Sequence, residues 1–147
     1  MPGAATSGGP LVAVAGAGLG GLCLAQGLVR AGRDVQVFER DTALNARRQG
    51  YRLHVDARAG LALQKCLPPR LFQLFMATTG QPSRRITVLS AQLHVLHETE
   101  TTPARNPHDA ATLSTSADRG TLREILAAGL EERVHYDHEL ALSLIHI

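Results

Sequence analysis

The sequence predicts an α/β fold: a Rossmann-like βαβ unit whose strands form a parallel sheet, with antiparallel strands added to it. Three observations predict it. The run Leu11-Val12-Ala13-Val14-Ala15 is unbroken and apolar, which suits a central parallel strand covered on both faces. It leads directly into Gly16-Ala17-Gly18-Leu19-Gly20-Gly21, where Gly16, Gly18 and Gly21 take the marked places of G-x-G-x-x-G. A helical pattern (Leu19, Leu22, Cys23, Leu28, Val29) then ends near Ala31-Gly32, and a second strand, Val35-Gln36-Val37-Phe38, stops at Glu39.

Each piece has a task in a nucleotide-binding unit. Gly16 permits the tight turn out of the strand, Gly18 lets the backbone approach a pyrophosphate, and Gly21 lets the helix pack close to the strand. The helix N-terminus offers free N–H groups and a partial positive charge to phosphates. Glu39 lies eighteen residues after Gly21, close to the spacing of roughly 20 at which an acid meets a ribose hydroxyl. A carboxylate accepts from a ribose diol and repels a 2′-phosphate, which favours an adenosine ribose without that phosphate, as in FAD or NAD. A glycine-rich turn in an ordinary α/β domain is the plainer alternative. Residues 10–29 are uncharged and long enough to span a bilayer, but five glycines, Gln26 and the charged βα pattern downstream argue against a membrane span. No Lys or Arg precedes Arg30, so a secretory signal is not expected.

Composition narrows the function classes. With 147 residues the chain fits one domain or part of one, and 44% hydrophobic residues are ordinary for a globular fold. Aromatic residues make up 3% and Trp is lacking, so base-stacking recognition of nucleic acid has little to work with. The net charge of +2 marks no strongly charged partner. Cys23 and Cys66 are far apart, form no C-x-x-C and read as buried free thiols, consistent with a reducing cytoplasm. The close histidine pairs, His94/His97 and His135/His138, fall in strand-like sequence, where i and i+3 point to opposite faces; a metal site is not expected.

Along the chain, residues 1–9 read as a frayed tail. Residues 41–49, including Arg47 and Arg48, read as a polar loop, and 50–55 as a short strand. Asp56 can cap the next helix, which Pro68-Pro69 ends. Leu71, Phe72, Leu74, Phe75 and Met76 mark another, before a turn at Gly80-Gln81-Pro82. Ile86-Thr87-Val88-Leu89 and Leu93-His94-Val95-Leu96 read as a hairpin joined by Ser90-Ala91-Gln92, and 100–117 as loop. Thr121-x-x-Glu124 forms a capping box, with Gly129 and Leu130 placed for a Schellman closure. With Thr121 as cap, Arg123 lies in the first turn, where a cation opposes the helix dipole; an anion nearby would compensate. Residues 133–137 read as a strand with Val134 and Tyr136 on one face. The end, Leu142-Ser143-Leu144-Ile145-His146-Ile147, resembles a translated library adapter, so 142–147 are set apart as a non-native tail; the alternative is a genuine alternating strand end.

Three blocks together resemble the FAD-dependent aromatic-ring hydroxylases, the single-component flavoprotein monooxygenases. They are residues 14–21 with Val37-Phe38-Glu39-Arg40, then Gln49-Gly50-Tyr51-Arg52-Leu53, then Asp118-Arg119-Gly120-Thr121-Leu122-Arg123. The first is shared by many FAD and NAD proteins; the third, at its distance from the first, points to this family. The resemblance spans residues 11 to about 136. It implies that residues 10–141 are the N-terminal part of an FAD-binding domain, an incomplete one. It also implies that Gly16, Ala17, Gly18, Leu19, Gly20 and Gly21 hold the FAD pyrophosphate and Glu39 the ribose. Arg40 would flank the adenine, Arg123 would reach FAD, and Arg48 and Gly50 would lie by the flavin. NADPH or NADH would be the co-substrate that reduces the flavin for oxygen-dependent hydroxylation of a small, aromatic molecule. The family's later D-G and G-D motifs have no counterpart here, and no Ser-His-Asp set, carboxylate pair or nucleophilic Cys suggests catalysis unaided. The intact protein is thus expected to be the enzyme and this piece to be inactive alone. The rival readings are an NAD-dependent Rossmann oxidoreductase and a non-catalytic dinucleotide-binding module. A small-molecule substrate is the expected partner, without nucleic acid or membrane, and a cytoplasmic setting is expected.

Overall fold

The computed structural model describes residues 10–46, 50–81, 84–100 and 109–141. A parallel three-stranded sheet runs in the order β1 (Val12–Ala15), β2 (Val35–Phe38), β7 (Val134–His135). β1 and β2 pair from Val12↔Val35 to Ala15↔Phe38, and β2 pairs with β7 through Val37↔Val134 and Phe38↔His135. α1 (Leu19–Arg30) joins β1 to β2, so the βαβ unit stands where the sequence predicts it. One expectation fails. β1 is not covered on both faces: Val14 is buried, but Ala13 and Ala15 are exposed. β1 is an edge strand among the described residues, and the core packs on one side of it.

Two smaller sheets flank this unit. β3 (Arg52–Asp56) pairs antiparallel with β6 (Ser114–Asp118), from Arg52↔Asp118 to Asp56↔Ser114. β6 corrects the reading of 100–117 as loop. Ser114-Thr115-Ser116-Ala117-Asp118 has almost no apolar alternation, and it is the β3 ladder that makes it a strand, with Thr115 and Ala117 turned inward. β4 (Arg85–Leu89) and β5 (Val95–Glu100) form the expected hairpin, but β5 starts two residues late. Leu93 sits at φ 64 inside the turn, which Ser90 closes by donating its N–H to His94 O at 2.8 Å.

Asp56 caps α2 (Ala57–Cys66) as expected, accepting from the Ala59 N–H at 3.0 Å. The di-proline ends α2 and opens α3 (Pro69–Thr78). α4 (Arg119–Ala127) corrects the capping box at Thr121. Its N-cap is Asp118, whose Oδ1 accepts from the Thr121 N–H at 2.9 Å and its hydroxyl at 3.1 Å. Both residue types cap well; Asp118 prevails because β6 delivers the chain to it as the strand ends. Arg123 is therefore in the second turn, and the dipole argument for it does not hold. At the other end Gly129 has the expected positive φ (+79). However, Ala128 is extended and Leu130 donates to Ala127 O at 2.9 Å, which is a type II turn and not a Schellman closure. β7 is shorter than the predicted strand because Asp137, at φ 58, turns the chain away.

The core gathers Leu22 of α1, Val35 and Val37 of β2, Leu67, Phe75 of α3, Leu126 of α4 and Leu130, all essentially fully buried. Gln26 is buried too, and its side-chain amide donates to Leu126 O and Ala128 O, both at 2.9 Å. It thereby satisfies carbonyls left open at the end of α4. Cys23 and Cys66 are free, as expected, but half-buried rather than buried, and Cys66 packs against α1 at Gly27, one turn from Cys23. Predictions on residues 1–9, 47–49, Pro82, 101–108 and 142–147 lie outside the described residues.

A Cβ on Gly21 would lie 2.0 Å from Gly16 O. Gly21→Ala is therefore expected to cost about 1–3 kcal/mol or more in urea unfolding. The Thr121 N–H and hydroxyl hold the Asp118 carboxyl below its usual 3.8. Its contribution is present above that value and lost as pH falls through the lower, folded one. Asp118→Ala should lower Tm at pH 7, and the gap to the unmutated chain should narrow below pH 3.8.

Candidate dinucleotide site

The site is built at the C-terminal ends of β1 and β2. Gly16 leaves β1 at φ +94, a conformation glycine adopts without strain, and its N–H donates to Phe38 O at 2.7 Å. Gly18 is the N-cap of α1, with no side-chain acceptor at that cap and no acid in the first turn. Cβ atoms built on Gly16, Gly18 or Gly20 would meet nothing within 4 Å. The first two line a cavity of about 460 Å³ that also meets Glu39, Arg40, Arg119 and Arg123. That volume lies in the usual range for small-molecule sites, roughly 300–1,000 Å³.

Between the two lining glycines, the Ala17 backbone is held on both sides, through the peptide before it and the peptide after it. Its N–H donates to Glu39 Oε2 at 2.7 Å, and its carbonyl accepts from Arg123 Nε at 2.8 Å. Arg123 Nη2 lies 3.5 Å from the same Oε2, and Nη1 donates to Leu44 O at 2.7 Å. Glu39 Oε1 accepts from the Asp41 N–H at 3.0 Å. Both charged side chains are about nine-tenths buried. An ionised carboxylate has about four acceptor positions; here two take hydrogen bonds and the Arg123 guanidinium lies beside Oε2. Acceptor capacity remains for a hydroxyl donor, and Glu39 lines the cavity. β7 fastens the strand tip: Glu39 donates its N–H to His135 O at 2.8 Å, and His138 donates to Glu39 O at 2.9 Å.

The predicted site residues thus divide. Gly16, Gly18, Glu39, Arg40 and Arg123 meet at the cavity. Ala17 is fully buried beneath it, while Leu19, Gly20 and Gly21 form the first turn of α1. Gly50 is exposed and does not line the cavity. Arg48 lies outside the described residues. Arg123 reaches the site from the middle of α4 and spends its donors on the loop backbone, not at a helix N-terminus facing an anion.

Arg119 was missed. It is the first residue of α4 and lines the cavity, with its guanidinium 5.7 Å from the centroid of the Tyr51 ring. Its N–H donates to Tyr51 O at 3.2 Å, so backbone and ring both position it. Reading Asp118 as an alternative cap would have put Arg119 at the helix start. His135 and His138 also differ from expectation. The turn at Asp137 brings them together on Phe38, with ring centroids 5.2 Å (His135) and 5.8 Å (His138) from it. Among the described residues, no group of three or more His, Cys, Asp or Glu could hold a metal ion. Nor is any described helix long and apolar enough to cross a membrane.

A parallel βαβ unit with an open glycine turn and an acid at the second strand's tip defines a Rossmann-like dinucleotide-binding domain. Residues 14–75 match the NAD(P)-binding Rossmann-like domain family. Over 130 residues, 88% of its length, the chain is 33% identical to the dual O-methyltransferase/FAD-dependent monooxygenase CTB3 of Cercospora beticola. It is 30% identical over 129 residues to the dual enzyme elcB of Phaeosphaeria nodorum. It superposes on the crystal structure of a candidate FAD-containing monooxygenase from Photorhabdus luminescens with a TM-score of 0.72 and 27% identity, covering 88% of this chain and 31% of that one. Klebsiella pneumoniae HpxO, solved with FAD and uric acid, shares the fold at a TM-score of 0.63 and 19% identity, over 88% of this chain and 31% of its own. The chain is homologous to FAD-dependent monooxygenases. It spans about 15% of the length of the curated relatives it matches.

Arg123→Ala removes one partner of a buried ion pair and leaves two carbonyls without their donor. It is expected to cost about 3–5 kcal/mol in urea unfolding. A loss below about 1 kcal/mol would show that the clamp is not formed in solution.

Proposed function

We propose that the chain is the FAD-binding part of a flavin-dependent monooxygenase. The observation that carries this reading is the clamped, side-chain-free turn from Gly16 to Gly18. It opens with the uncapped start of α1 onto a cavity that carries Glu39 on its wall. The residues fit the cofactor. Free N–H groups at the start of α1 suit a pyrophosphate, and the bare Gly18 lets it come close. The remaining acceptor capacity of Glu39 suits a ribose hydroxyl. Arg40 lies at the same cavity, on the side proposed for the adenine.

Arg119 and Arg123 take different roles in this reading. Arg119 faces the cavity and is free to meet a phosphate oxygen; Arg123 is a positioning residue that shapes the loop through the Ala17 carbonyl. Bound FAD supplies the redox chemistry, taking electrons from NADH or NADPH and activating oxygen toward a small, aromatic substrate. The chain's own part is to fix the pyrophosphate and to orient the ribose against the clamped Glu39 carboxyl. Gly50, Arg48 and Leu19 stay proposed members of the cofactor shell. A cytoplasmic setting fits a protein with two free thiols that draws on NAD(P)H.

Flavin fluorescence titration tests this. FAD should bind more tightly than NAD. Gly18→Ala should leave stability nearly unchanged, since its Cβ enters open space, while weakening FAD by crowding the pyrophosphate. Arg119→Ala should weaken FAD roughly 10–100-fold, the loss of one charge-assisted contact. FAD affinity unchanged in both variants would overturn the site, and a preference for NAD would favour a nicotinamide-dependent oxidoreductase.

A further inference from the structure

α1 and α2 meet at a pair of thiols that dinucleotide binding does not use. Cys23 lies in the second turn of α1, and Cys66 is the last residue of α2. Both are free and half-buried, so small solutes reach them. Cys66 Sγ lies against Gly27, one turn beyond Cys23 on the same face of α1. A Cβ at position 27 would come to 3.0 Å from that sulfur. Glycine inside a helix costs stability; here it makes room for the Cys66 sulfur beside α1. Cys66 Cβ and Cα would also lie 3.6 and 3.9 Å from a Cβ at position 27, so Cys66 packs on the face of α1 that carries Cys23. Burial and the nearness of Cys66 push the Cys23 thiol up to about 12, so Cys23 stays protonated at neutral pH.

We propose that Cys23 and Cys66 form a reversible intramolecular disulfide that staples α1 to α2, with a peroxide as oxidant. The Cys66 sulfur, as thiolate, attacks one oxygen of hydrogen peroxide; the O–O bond breaks, hydroxide leaves, and Cys66 becomes a sulfenic acid. The Cys23 sulfur then attacks Cys66 Sγ. The S–O bond breaks, and the Cys23 proton and the proton lost earlier leave with the two oxygens as water. Two thiols and one peroxide thus give one disulfide and two waters; the sulfurs lose two electrons and the peroxide gains them. A disulfide needs the two Cα atoms within about 4.4–6.8 Å, and the packing of Cys66 on α1 one turn from Cys23 brings the two residues to that neighbourhood. The bond closes a loop from 23 to 66 that carries β2, Glu39 and β3, and it restrains α1, whose N-terminus faces the cavity.

The test treats the 147-residue chain with hydrogen peroxide under native conditions, blocks remaining thiols with N-ethylmaleimide and digests with trypsin. The expected product links the peptide ending at Arg30 to the peptide ending at Arg70 and is released by dithiothreitol. Oxidation should raise Tm by at least about 5 °C, and the reductant should reverse the rise. Blocked Cys23 alongside oxidised Cys66, or only links between two chains, would overturn the proposal. Cys23→Ser should give sulfenic and higher acids on Cys66 and no rise in Tm. The peptide mapping needs no variant, so a folding defect in Cys23→Ser would not spoil the test.

Discussion

The site depends on the backbone of one residue. Ala17 sits where β1 has ended and α1 has not begun, so neither a ladder nor a helix satisfies its N–H and carbonyl. Glu39 takes the N–H and Arg123 supplies the carbonyl's donor. Either of these buried groups left unpaired would cost about 1–3 kcal/mol. The two side chains also answer each other, since each would be an isolated charge in a dry setting without its partner. One ion pair therefore serves three purposes: it satisfies the turn, neutralises itself and fixes the glycine backbone.

Net stability is not the main return from such a pair. Desolvating two charges consumes most of their mutual attraction, and a well-packed apolar pair can be as stable. The return is geometric. The ties run from Glu39 and Arg123 to Ala17, Asp41 and Leu44, so β1's exit, the end of β2, the following loop and the middle of α4 are bound to one another. Glycine-rich loops are intrinsically loose; this one is braced from below while its upper surface stays bare. A phosphate-binding loop needs that combination, because donors fixed beforehand need not be ordered when the ligand arrives.

The remaining structure supports this brace. β7 holds Glu39's backbone from the far side, and Gln26 ties α1 to the end of α4, which keeps Arg123 at its working distance. Tyr51 and β3 position Arg119 at the cavity. The β4–β5 hairpin lies outside this network. All its described residues in the two strands are exposed, including Ile86, Val88, Leu89, Val95 and Leu96.

The βαβ unit was legible in the sequence because its signals are local. An apolar run, three spaced glycines and a 3.6-residue period each reflect neighbours along the chain, and the ends of β1, α1 and β2 fall within a residue of those expected. Asp56, the di-proline and Gly129 were legible for the same reason. What only the tertiary structure decided involves partners far apart in sequence. β6 is a strand because β3 lies beside it, and that pairing moves the cap of α4 from Thr121 to Asp118. The shift turns Arg119 into the cation at the helix start and Arg123 into a buried brace, and the packing of α1 on α2 joins two cysteines 43 positions apart. Local periodicity records which face of an element is apolar; it carries no information on which distant backbone group will need a donor, and that need settled the roles of these side chains.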